Sequence, residues 1–304
     1  MAAADPPRIA VGEPVALALG AGGARGLAQV GVIEALQARG LNIITVAGAS
    51  SGALIGGVFA AGKLGPFGER LAAMSRGEFL RLMAEPSFAT DGLVRGDRLV
   101  DAMREVVGDP LIESLAVDFV AVAVDLVRQR EVWLRSGPLW QALRASFAFP
   151  GVFTPGRVHG RDLVDGGLLA PLPIAATRLS DAHRLIAVDM HGWPQRPTGS
   201  PADPAQDVDA QPESALGRWI GRQLDRVRGD DENALPGMRL TEVLGRSVDI
   251  MQGQIARVQM ALDPPELVIR IPRDACQFYE FWRAAELIDI GRREAEKALD
   301  AAGY

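Results

Sequence analysis

Short apolar runs, each closed by glycine or a polar turn, alternate along this chain with longer stretches of helical spacing. Val15–Leu19, Ile43–Ala47 and Phe119–Val124 are short uncharged, mainly apolar runs, and Leu185–Met190 and Leu267–Ile271 are similar runs interrupted only by Asp189 and Arg270. Such runs predict strands buried on both faces. Between the first two, Leu27–Ala38 carries Val30, Ile33 and Leu36 on one stripe and stops at Gly40, which predicts a helix. The same periodicity predicts helices over 53–60, 67–83, 97–107, 138–146, 216–228, 240–262 and 284–301. Glu131–Leu134 is placed to pair with Phe119–Val124 across a turn at Arg128–Arg130, and Val158–Val164 reads as a tight hairpin. Strands alternating with helices imply an α/β fold, a three-layer α/β/α sandwich around a mostly parallel central sheet. Residues 1–14 read as a disordered tail and 15–304 as one domain, with a lid-like excursion over 193–238 that opens on a stretch dense in Pro, Asp, Gly and Ser.

Composition narrows the function classes. The chain has 304 residues and a net charge of −6, with a pI near 5.3, which argues against a nucleic-acid partner. A single cysteine, Cys276, excludes an intramolecular disulfide and a multi-cysteine metal site. Its neighbours Phe278, Tyr279, Phe281 and Trp282 suit a buried thiol. The first residues contain Asp5, Arg8 and several prolines without an apolar core, so no secretory signal is read and the cytoplasm is the default location. The uncharged run Gly40–Gly62 is long enough to span a membrane. Asn42, the adjacent serines and the glycines of its second half suit an internal strand–helix unit better. Oligomeric state is left open by the sequence.

Three segments carry candidate chemistry. Gly48-Ala49-Ser50-Ser51-Gly52 is a G-x-S-x-G pentapeptide between a predicted strand and a predicted helix. A serine on so sharp a turn projects its hydroxyl toward the positive end of a helix, as an acyl-transfer nucleophile requires. Gly20-Ala21-Gly22-Gly23-Ala24-Arg25-Gly26 follows a strand and precedes a helix, leaving unshielded amides at a helix N-terminus. That loop reads as a nucleotide-phosphate site, as a glycine turn that only packs strand on helix, or as an oxyanion hole. In the last reading the Gly22 and Gly23 amides face the alkoxide and Arg25 organises the loop. Asp165-Gly166-Gly167, after a strand, is either an ordinary turn or a carboxylate placed to take the Ser50 proton directly. A Ser-His-Asp arrangement must use one of three histidines. His159 lies in the hairpin and His183 in a loop; His191, at the end of a strand, is the best placed, with Asp125 or Asp165 as its partner.

Taken together and in this order, the glycine loop with Arg25, the Gly-Ala-Ser-Ser-Gly elbow and Asp165-Gly166-Gly167 resemble the patatin-like phospholipases, particularly bacterial members. Gly92–Asp97, Ala145–Phe153 and Ala284–Ile288 also look familial, so the resemblance runs from about residue 15 to about residue 300. It implies a three-layer fold and a Ser-Asp dyad, with Ser50 matching the nucleophile, Asp165 the base, and Gly22, Gly23 and Arg25 the oxyanion site. Gly20, Gly26, Gly48, Gly52, Gly166 and Gly167 match the supporting glycines, and no metal or organic cofactor is called for. Two positions depart from the pattern: Ala21 stands where glycine is common, and Ala170 where a polar asparagine is frequent. The implied substrates are glycerophospholipids, lysophospholipids or related acyl esters.

One local feature agrees with a lipid substrate. In 216–228, Leu216, Trp219, Ile220, Leu224 and Val227 form a stripe beside Arg218, Arg222 and Arg226. The segment reads as a helix peripherally bound to an anionic bilayer or as a lid or core helix with a solvated arginine face. The rival functions are an α/β-hydrolase esterase or thioesterase using His191 and a patatin-fold regulatory or interaction protein without hydrolysis.

Overall fold

A computed structural model of the chain describes residues 9–85, 94–195 and 240–304, with backbone alone over 240–244. The expected helix 216–228, and all but Trp193–Gln195 of the expected excursion, lie outside the described residues. The strands are β1 (Pro14–Leu19), β2 (Asn42–Ala49), β3 (Asp118–Asp125), β4 (Arg130–Leu134), β5 (Gly156–Val158), β6 (Arg161–Asp165), β7 (Arg184–Gly192) and β8 (Leu267–Pro272). They form one sheet, ordered β5-β6-β3-β2-β1-β7-β8, with β4 also paired to β3. The run β3-β2-β1-β7-β8 is parallel throughout, and β4, β5 and β6 pair antiparallel.

Period-2 alternation divides the core into two unequal layers. Val15, Leu17, Leu19, Val46, Phe119, Ile186 and Val188 point into the larger one. It contains α1 (Ala28–Ala38), α2 (Ser51–Ala60), α3 (Leu64–Ala72), α6 (Leu139–Ser146) and α8 (Ala284–Ala301). Peripheral helices α4 (Arg76–Met83) and α5 (Asp97–Val107) add to that side. Ala16, Ala18, Ala47, Ala49 and Ala187 point the other way, where their small side chains admit a thin layer at close range. That layer is the turn-rich stretch through Ala170, Leu172, Ile174 and Ala176 together with α7 (Leu240–Leu262), which contributes Ala256.

The run Gly40–Gly62 supplies β2 and α2, and all ten residues of α2 are buried. No helix among the described residues is long and apolar enough to cross a membrane. The structure corrects two boundaries. The helix expected over 67–83 is two helices, α3 and α4, because Ser75 is extended and its hydroxyl accepts the Glu78 amide proton (3.2 Å), starting α4 afresh. The tail expected over 1–14 is folded from residue 9: Ile9 is fully buried and its N–H donates to the Tyr304 hydroxyl at 2.9 Å.

Candidate active site

The elbow after β2 is built by close backbone packing. A Cβ on Gly48 would collide with the Gly52 backbone, and one on Gly52 with the Leu19 carbonyl, so both positions are confined to glycine. Ser50 itself sits at φ 55, ψ −124, a conformation that a non-glycine residue holds only when its surroundings enforce it. Here the Ser50 N–H donates to the Ser146 hydroxyl (3.0 Å), which in turn donates to the Val122 carbonyl (2.6 Å). Ser146 thereby ties the strained turn to β3.

Strand pairing explains how Asp165 reaches Ser50. β4 occupies one edge of β3 from Ala121 to Asp125. On the other edge β2 pairs as far as Ala49 opposite Val122, and antiparallel β6 takes over with Asp165 opposite Ala123. The carboxyl ends of β2 and β6 therefore meet on neighbouring residues of one strand. Ser50 Oγ donates to Asp165 Oδ2 at 2.6 Å, and Asp165 Oδ1 accepts the Gly167 N–H at 2.7 Å. Burial pushes the Asp165 carboxyl up to about 6, with the Ser50 and Gly167 hydrogen bonds working in the opposite direction. Ala170 is buried and leaves Asp165 with both of these partners.

The glycine loop lies against the elbow. Gly20 N–H donates to the Val188 carbonyl, and Gly26 packs on the Ser51 side chain. The Gly22 amide, expected to face an oxyanion, instead donates to Ser51 Oγ (3.2 Å), because that hydroxyl fills the space between loop and helix. Gly23, at φ 56, keeps an amide without a hydrogen-bond partner among the described residues, as does Ser51 at the first position of α2. Arg25 is buried and holds the loop from behind. Its Nε reaches the Gly22 carbonyl (3.4 Å), its Nη1 donates to the Arg273 carbonyl (3.0 Å), and its Nη2 pairs with Asp249.

Residues 17–178 match the family described as patatin-like phospholipase. The chain belongs to that family. An uncharacterized NTE family protein of Mycobacterium tuberculosis is 37% identical over 340 aligned positions, covering 94% of this chain and 91% of that protein. A lysophospholipase nte1 of Emericella nidulans is 32% identical over 182 positions, which are 59% of this chain and 12% of that larger protein. Among solved structures, VipD from Legionella pneumophila aligns over 96% of this chain and 67% of its own at 16% identity and a TM-score of 0.45. Membership in the patatin-like family places the chain among lipid acyl hydrolases.

The other sequence candidates lie apart from this patatin-like centre. His159 and His183 are exposed. His191 is 3.4 Å from Asp189 by Nδ1 and 3.6 Å from Asp249 by Nε2, so its ring addresses two other carboxylates. Asp125 accepts the Arg128 amide proton and guanidinium instead of an imidazole. Cys276 is buried, and burial pushes its thiol up to about 12. Sequence reasoning missed Ser51 and Ser146, whose partners are distant in the chain. It also missed Gln252 of α7, whose Nε2 donates to the Gly167 carbonyl at 3.2 Å. An open groove of about 680 Å³ lined by Arg130, Glu131, Trp133 and Leu169 lies beside β4 and does not include Ser50 or Asp165.

Proposed function

We propose that this protein hydrolyses acyl esters of phospholipids or lysophospholipids through a Ser50–Asp165 dyad. The observation that carries the reading is the 2.6 Å hydrogen bond from Ser50 Oγ to Asp165 Oδ2, with no imidazole between them. Asp165 takes the Ser50 proton as Oγ bonds to the acyl carbon and the carbonyl π pair moves onto oxygen. The Gly23 and Ser51 amides are the free donors for that oxyanion, and a small shift of Ser51 Oγ would release Gly22 to join them. When the intermediate collapses, the ester C–O bond breaks and the leaving alcohol takes the proton from Asp165. Water then gives its proton to Asp165, attacks the acyl-enzyme and releases the fatty acid, and the proton returns to Ser50.

A carboxyl raised to about 6 is a stronger base than an ordinary aspartate, yet it is still ionised at neutral pH. Turnover should therefore rise with pH through about 6 and level off above it. Phe278, half-exposed over Gly23 with its ring centroid 4.9 Å from that of Phe149 at a 50° tilt, offers an apolar wall beside the loop for an acyl chain. The substrate class rests on family membership and on relatives that carry the name lysophospholipase.

The test is fluorophosphonate labelling with the adduct located by mass spectrometry, followed by a panel of phospholipid, lysophospholipid and p-nitrophenyl esters. The adduct should fall on Ser50, and Ser50→Ala and Asp165→Asn should each lower turnover by roughly a thousandfold or more. An active Asp165→Asn enzyme would overturn the dyad. Absence of both adduct and turnover would favour a non-catalytic role for the fold.

A further inference from the structure

The inner face of α7 is polar where it meets the site. Asp249 and Gln252 are three residues apart, so they project from one side of the helix. Each touches a different half of the reaction centre. Asp249 pairs with the guanidinium of Arg25, whose other nitrogens hold the carbonyls of Gly22 and Arg273. Gln252, buried, donates to the Gly167 carbonyl, and the amide of that same residue is bonded to Asp165. Two turns further along, Gln259 accepts the Leu172 amide proton at 3.2 Å, anchoring the helix outside the reaction centre.

We propose that Asp249 and Gln252 are positioning residues that make α7 a clamp across the site. Asp249 fixes the Gly22–Gly23 loop through Arg25, and Gln252 fixes the Gly166–Gly167 turn that holds Asp165. The proposal rests on the hydrolase reading above and adds to it the element that sets the spacing of its two halves. The groups facing Asp249 are Arg25 from the glycine loop and His191 from β7, with Asp189 behind the imidazole. Those facing the Asp165 carboxyl are the Ser50 hydroxyl and the Gly167 amide. The two clamps therefore act on different atoms and leave different kinetic traces.

Asp249→Asn keeps the side chain's shape and weakens the hold on Arg25. It should lower kcat about tenfold or more, with KM within about twofold, and leave the acid limb of the pH profile in place. Gln252→Met keeps the bulk and removes the donor. The relaxed turn should loosen the Gly167 bond to the Asp165 carboxylate, so the acid limb should move upward by about half a pH unit. Gln259→Met serves as the benchmark for a purely structural anchor on the same helix, expected to lower Tm without altering kcat or the limb. Should either site variant precipitate, Asp249→Ser and Gln252→Leu pose the same question. Wild-type protein without ester turnover overturns the hydrolase reading and this one with it. Active wild type, with both site variants behaving like Gln259→Met, overturns the clamp alone.

Discussion

Helices α8 and α7 pack on opposite faces of the same sheet and are held mainly by different means. α8 crosses α1 so closely that a Cβ on Gly291 would collide with the Ala28 carbonyl, and one on Gly31 with the Ile288 carbonyl. Its inward residues Leu287, Ile288, Ala295 and Leu299 join the main core. α7 turns Asp249, Gln252 and Gln259 inward to polar partners and leaves Ile250, Met251, Val258 and Leu262 exposed. Buried apolar contact gains free energy without regard to direction, whereas hydrogen bonds hold atoms at set distances and angles. α8 is thus fixed chiefly by burial, and α7 is bonded directionally to the glycine loop through Arg25 and to the Gly167 turn beside Asp165, as the proposed clamp requires.

Truncation should separate the two most strongly. Leu287→Ala on α8 should cost about 2–5 kcal/mol in urea or thermal melts, while Met251→Ala on α7 should stay within about 0.5 kcal/mol. Equal losses would mean that α7 is also held by a buried apolar face.

Burying the carboxyl of Asp165, the proposed base, carries a cost of its own. The Asp165 carboxyl is raised in the folded protein, so its stabilising contribution is complete below the unfolded value near 3.8 and is lost as pH rises through about 6. Asp165→Asn should thus be more stable than wild type at pH 8, by on the order of 2–3 kcal/mol, and show no gain below about pH 4. Melting curves at the two pH values check the sign; a gain that is the same at both would remove burial of the charge as its cause.

The smallest effects come from one substitution made on both helices. Gly291→Ala should destabilise by about 1–3 kcal/mol, because the new methyl meets a backbone carbonyl. Gly253→Ala places its methyl 3.4 Å from the His191 ring, an ordinary contact, and should be neutral or stabilise by up to about 1 kcal/mol through helix propensity. Matching losses would dissolve the contrast between a close helix crossing and a looser one.

What was legible in the sequence follows the range of the forces involved. The inner parallel strands were readable because burial on both faces writes itself as an apolar run with few interruptions. Ser50 and Asp165 were readable because each sits in a short motif whose glycines answer to backbone crowding within a few residues. The break between α3 and α4 was spelled locally by Ser75 and Glu78, but the apolar spacing running through it dominated the reading. The Ser51 hydroxyl, Ser146 and the clamp from α7 left no local mark, since their partners come from other elements and no spacing rule links them. The same gap hid the engagement of the Gly22 amide: a loop's backbone can be inferred from its glycines, but not which side chain comes to rest against it.

The shared edge of β3 acts as a ruler for the pairing of Ser50 with Asp165. Since successive residues of a strand face opposite sides of the sheet, sliding β6 by one residue along β3 would carry the carboxylate to the wrong side and break its hydrogen bond with Ser50 without disturbing the packing of the elbow. Length changes at the exposed turn through His159 and Gly160, both with positive φ, can be absorbed in solvent. A residue gained or lost between Leu163 and Asp165 cannot. The spacing of the Ser50 and Asp165 oxygens is thus stored in the counting of backbone hydrogen bonds along a strand that contributes neither of them.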